Sequence, residues 1–182
     1  MTTQLSDSEQ IVIREIFKDP QISLEGIAVI LERERKKRKE KEDQRFQKKV
    51  DVRTVSKFKS VGLKKIRNGL KELADTSRLD VSIQDDLEEE KLEVLQRNGI
   101  LYGHDFRIDR KVYIFYTVKE GYFLWQEHVC NVKCQDQCYE ILDLIRKEHG
   151  LDEPNKNELI REQFKETFDE IVKREKQGMK EE

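Results

Sequence analysis

Residues 98–121 read NGILYGHDFRIDRKVYIFYTVKEG, and within this stretch the apolar period changes from that of a helix to that of a strand. Ile100, Tyr102, Phe106 and Ile108 lead to Asp109-Arg110-Lys111, after which Val112, Ile114, Tyr116 and Val118 alternate strictly. Side chains two residues apart share one face of a strand, so this spacing predicts a β-hairpin that Lys119-Glu120-Gly121 closes. Just upstream, Leu92, Val94 and Leu95 sit at helical spacing and Asn98-Gly99 follows them. Glycine tolerates the left-handed backbone that ends a helix, so a helix is expected to stop at Gly99.

Outward from the hairpin, the periodicity is helical on both sides. Ile11, Val12, Ile16 and Phe17 define a short amphipathic helix with Ser6 or Ser8 as its cap and Asp19-Pro20 as its stop. Ser23 offers a second cap, and Leu24, Ile27, Ala28, Ile30 and Leu31 a second apolar face. That helix runs without a breaker into Glu32–Lys49, where Phe46 is the one large apolar residue. Val52, Val55 and Phe58 predict a further helical segment before Gly62, and Leu63, Ile66, Leu70 and Leu73 another, broken or bent if Asn68-Gly69 turn. Beyond the hairpin a long helix is expected from about Tyr122 to His149, then a loop at Pro154 and a last helix on Leu159, Phe164, Phe168 and Ile171.

Charged residues make up 41% of the 182, apolar types 36%, and the mean hydropathy is −0.85, so the core must be small and much of the chain solvated. No apolar run is long enough to span a membrane, and the first residues lack the order of a secretion signal, which predicts a cytoplasmic protein. The net charge of −2 hides a separation of sign. Arg33–Lys71 carries 17 Lys and Arg against 5 Asp and Glu, 17 − 5 = +12, whereas Glu72–Asn98 carries 3 against 9, 3 − 9 = −6. A basic segment beside an acidic one gives two surfaces for different partners, and the basic one suits a polyanion.

Three pieces of this sequence resemble archaeal and bacterial winged-helix regulators of the general MarR, ArsR or PadR type. Residues 7–17 with 22–28 are similar to the opening helix and the helix that supports recognition; residues 92–102 to the end of a recognition helix entering the wing; residues 112–121 to the strand and turn that leave it. The resemblance implies a mainly α fold with one β-hairpin: a winged helix-turn-helix over 5–121 with a basic helical insertion at about 32–60. A long helix over 122–150, suited to dimerisation, and a C-terminal helix with a charged tail over 151–182 would follow. It also implies a transcriptional regulator that binds double-stranded DNA, forms a homodimer and meets the transcription machinery. The departure is Glu32–Lys91, far longer than a simple winged helix needs.

Arg53, Thr54, Ser56, Lys57 and Lys59 combine hydroxyl donors with cations, the mix expected where a helix enters a DNA groove. Arg110 and Lys111, at the hairpin tip, are expected on the phosphate backbone. A helix over Asp85–Glu93 would put carboxylates against phosphates, so it suits a protein partner instead. That leaves a protein-interaction module as the rival function. His128, Cys130, Cys134 and Cys138 suggest a thiol- or metal-dependent sensor, yet on one helix the first and third sulfurs would stand about 12 Å apart, too far for a shared ion. Continuing that stripe through Ile141, Leu142 and Ile145 makes the cysteines packing residues. His104 lies near the hairpin and His149 near a helix end, where it can complement the dipole. No phosphate loop, nucleophile elbow or zinc-protease helix occurs, so neither enzyme chemistry nor a cofactor is expected.

Overall fold

A computed structural model describes residues 4–39, 50–81, 89–127, 132–155 and 157–178. The described part is mainly helical with one small antiparallel sheet. Helices α1 (Asp7–Lys18), α2 (Leu24–Lys39), α3 (Val52–Thr76) and α4 (Glu89–Arg97) precede strands β1 (Ile100–Asp105), β2 (Arg110–Thr117) and β3 (Gly121–Gln126). Helices α5 (Val132–Glu148) and α6 (Ile160–Gly178) follow. None of the described helices is long and apolar enough to cross a membrane.

Local chemistry sets the helix starts. Ser6 and Glu9 form a reciprocal capping box at α1, the Ser23 hydroxyl accepts from the Gly26 N–H at 3.0 Å, and Asp51 accepts from the Thr54 N–H at 2.7 Å. Each satisfies a backbone donor that the first helical turn leaves without a partner.

The sheet has the order β1-β2-β3, with Ile114 opposite both Leu101 and Leu124, and Tyr113 opposite both Tyr102 and Trp125. This register sends Leu101, Val112, Ile114 and Tyr116 to one side, where they pack with Ile13, Phe17, Ile66 and Leu70 of α1 and α3. Ile100, Phe115 and Trp125 go to the other side, against Val94 and Leu95 of α4, Leu142 of α5, and Phe164 and Phe168 of α6. A third apolar cluster joins α1 to α2 and the start of α3 through Val12, Ile27, Leu31, Val50 and Val55. The sheet is therefore the middle of three layers.

Several expectations need correction. Residues 122–126 are a strand, not the start of a helix, and α5 begins only at Val132. β3 carries apolar residues on both of its sides, Tyr122 toward α3 and Trp125 toward α6, so the polar alternation that marks a half-exposed strand is missing. The two helical segments expected around Gly62 are one continuous α3 that also passes through Asn68-Gly69. The basic insertion at about 32–60 is not a separate arm over its whole length: Val50 and Val55 return to the core beside Leu31, while residues 40–49 lie outside the described residues. On the long helix expected to suit dimerisation, Leu142 and Ile145 are buried against α6 in the same chain. Residues 128–131 and the Val132 side chain lie outside the described residues, as do residues 85–88 of the acidic segment expected to meet protein, whose residues 89–93 begin α4.

Candidate nucleic-acid interface

Helix α3 is amphipathic over its whole length. Val55, Gly62, Ile66, Gly69, Leu70 and Ala74 are buried, and they recur at the three- and four-residue spacing of one helix face. Two glycines let that face approach its neighbours closely. A Cβ at position 62 would lie 3.0 Å from Ile13 Cγ1 of α1, and one at 69 would lie 2.8 Å from Tyr122 Cε1 of β3, with the phenol oxygen closer still. Tyr122 Oη donates toward the Lys65 carbonyl at 3.3 Å. The apolar face thus fixes how α3 is rotated about its axis.

The opposite face is basic. Arg53, Lys57, Ser60, Lys64, Arg67, Asn68 and Lys71 are all exposed, and at about 100° per residue they form one stripe roughly 27 Å long. From Val52 to Lys71 the helix contains no Asp or Glu; Glu72 is the first. None of the five cations on the stripe forms a salt bridge among the described residues. Lys65 lies off it and bonds to the buried Glu9 at 2.8 Å. Burial alone would raise the Glu9 pKa, but hydrogen bonds from Lys65 and Ser6 outweigh it and hold the carboxyl below its ordinary value. That pair anchors α1 to α3 and leaves the stripe's own cations to solvent.

The residues expected from sequence separate into three groups. Arg53 and Lys57 lie on the stripe, and exposed Ser56 lies at its edge. Thr54 is half-buried beside its cap, and Lys59, though exposed, is rotated by about 200° from Lys57 and faces away. Arg110 is exposed and Lys111 half-buried at the foot of the β1–β2 turn. That turn is tied to the far end of α3: Arg107 Nη2 donates to the Ser77 carbonyl at 3.0 Å and to Asp105 Oδ2 at 2.7 Å. Since Arg53 and Ser77 are 24 positions apart on a helix, about 36 Å, the hairpin tip and the start of α3 are not one compact site. Lys64, Arg67 and Lys71 were missed because a break was expected near Gly62 and Gly69. Their spacing from Arg53 and Lys57 was a readable signal.

Cys138 is buried on the α5 stripe with Leu142 and Ile145, as the packing reading expects for that residue. His128, Cys130 and the Cys134 side chain lie outside the described residues. Among the described residues no group of three or more His, Cys, Asp or Glu is placed to hold a metal ion. His149 does not complement a helix dipole as a cation. It is buried and stacked on Phe17, ring centroids 4.9 Å apart, and burial, with nearby Arg174, lowers its pKa to about 3. Tyr113, Phe115 and Trp125 pack in the core, with Trp125 stacked on Phe164 at 4.1 Å and Tyr113 against Phe168 at 4.6 Å, whereas Phe106 at the hairpin turn is exposed.

Comparisons with protein-family models, with curated proteins and with solved structures find no match to this chain.

Proposed function

We propose that the chain binds double-stranded DNA as a transcriptional regulator of winged-helix type, with α3 as its reading helix. The observation that carries this reading is the outward face of α3, a continuous basic stripe free of carboxylates on a helix of the kind the major groove admits. Arg and Lys on such a face neutralise phosphates, and the hydroxyl of Ser60 and the amide of Asn68 add neutral donors. The element order also supports it. Helix α2 packs with the start of α3 and α1 packs along most of its length, Asp80 bridges to His104 after α3 ends, and the β1–β2 hairpin then takes the place of a wing. Helix α4, inserted between, buries Val94 and Leu95 under the sheet and serves as a packing element.

Charge reversal separates this reading from a merely solvated basic surface. In anisotropy titrations with a random-sequence duplex at low salt, Lys64→Glu is expected to weaken binding at least tenfold more than Lys59→Glu, which faces off the stripe; about 1.4 kcal/mol separates them if one phosphate contact becomes a repulsion. Equal effects of the two substitutions would mean that binding follows total charge and not the α3 face. Absence of binding by the unsubstituted protein would remove the DNA reading.

A further inference from the structure

The stripe on α3 is not uniformly polar. Val61 is 36% exposed and belongs to none of the three apolar clusters. At about 100° per residue, Lys57, Val61, Lys64 and Asn68 fall within a sector of about 60°. This places a β-branched apolar side chain between two exposed lysines, one helical turn from each, and an exposed amide one turn further along. Phosphate contacts position a protein without discriminating sequence, so of the residues in this sector Val61 and Asn68 are the ones whose chemistry can single out thymine and adenine.

We infer that Val61 and Asn68 are the residues by which α3 selects sequence, Val61 against the C5 methyl of thymine and Asn68 on the major-groove edge of adenine, so that the preferred duplex carries A·T pairs under this part of the helix. The inference rests on the duplex-binding reading above. Thymine alone presents a methyl group in the major groove, and adenine alone pairs an acceptor at N7 with a donor at N6. The Asn68 amide N–H donates to N7 while its carbonyl oxygen accepts from the N6 amino group. Lys57 and Lys64 hold the flanking phosphates, which keeps the Val61 methyls close to the groove floor. The face from Val52 to Lys71 has no carboxylate with which to accept from the cytosine amino group.

The test uses the full-length chain. Binding sites are first selected from a random-sequence duplex pool, and the enriched duplex is then compared with a copy in which each thymine in turn is replaced by uracil, which removes only the methyl. The unsubstituted protein is expected to enrich A·T pairs and to lose affinity several-fold at one uracil position. Val61→Ala should show no loss at that position. Asn68→Ala should lose roughly tenfold in its preference for adenine at a nearby position. Both side chains are exposed, and thermal melts of the variants should match the parent. Binding of the random pool without enrichment, or uracil sensitivity unchanged in Val61→Ala, would overturn this inference while leaving the duplex-binding reading in place. No binding of the pool at low salt would overturn both.

Discussion

Replacing Gly69 with Ala should reverse its sign of effect according to what stands at position 122. In the middle of a helix the exchange ordinarily stabilises by about 1 kcal/mol, because glycine loses the most backbone entropy on folding. Here the new methyl would meet the Tyr122 ring, with Cε1 at 2.8 Å and the phenol oxygen nearer. The tyrosine cannot yield cheaply, since its ring is packed on Tyr116 at 5.0 Å and its hydroxyl donates toward the Lys65 and Ile66 carbonyls. Such overpacking costs about 1–3 kcal/mol, so against the gain of about 1 kcal/mol the net effect in the parent is a loss of up to about 2 kcal/mol. In a Tyr122→Ala background the same exchange should gain about 0.5–1 kcal/mol, giving a coupling of about 2 kcal/mol between the two sites. Urea unfolding of the four proteins, followed by circular dichroism, measures it. A stabilised Gly69→Ala in the parent, or the same effect in both backgrounds, would refute the packing of β3 against α3.

Three further outcomes follow from the same reasoning. His149 has a folded pKa of about 3 against an unfolded value of 6.5, so the native state keeps it neutral while the unfolded chain protonates. Its contribution is therefore fully present above pH 6.5 and is lost as pH falls toward 3, at about 1.4 kcal/mol per pH unit. Compared with His149→Phe, the parent's stability should fall more steeply between about pH 6 and pH 5; equal slopes would contradict a buried neutral imidazole. Asp51→Ala removes the cap of α3 and should cost about 1 kcal/mol in chemical unfolding, with no cost if the helix starts elsewhere. Cys138→Ala should cost about 1 kcal/mol through the cavity it leaves and should not change DNA affinity; a larger effect on binding than on stability would contradict its packing role.

How far the molecule was legible depended on whether a signal was local. The caps at Ser6 and Ser23, the stop at Asp19-Pro20 and the left-handed Gly99, φ +76°, are set by neighbouring residues, and sequence and structure agree on them. The β1–β2 hairpin was visible because Val112, Ile114 and Tyr116 alternate on a single strand, but its turn, expected at Asp109-Arg110-Lys111, lies at residues 106–109, with Arg110 and Lys111 already in β2. β3 was hidden because Tyr122 and Trp125, on its opposite sides, pack on Gly69 of α3 and Phe164 of α6, and those contacts are facts about distant residues. Gly69 was misread as a breaker for the same reason: its use is to admit Tyr122, 53 positions further along. The candidate site was half visible. Arg53, Ser56 and Lys57, picked out from composition, lie on or beside the basic stripe, but that Lys59 falls off it and that Lys64, Arg67 and Lys71 lie on it became visible only once the buried Val55-Gly62-Ile66 face fixed the rotation of α3.

The most direct test of the central claim is the affinity of the protein for a random-sequence DNA duplex measured across a series of salt concentrations, with the parent beside a Lys57→Glu, Lys64→Glu, Arg67→Glu triple variant. If the five cations of the stripe each neutralise one phosphate, the parent's log affinity should fall against log salt with a slope of about −4 to −5. The triple variant should bind far more weakly, with a slope at least two units shallower, while keeping the parent's helical signal. A salt-independent parent, or a triple variant that binds with the parent's affinity and slope, would contradict the assignment of α3 as the DNA-binding face.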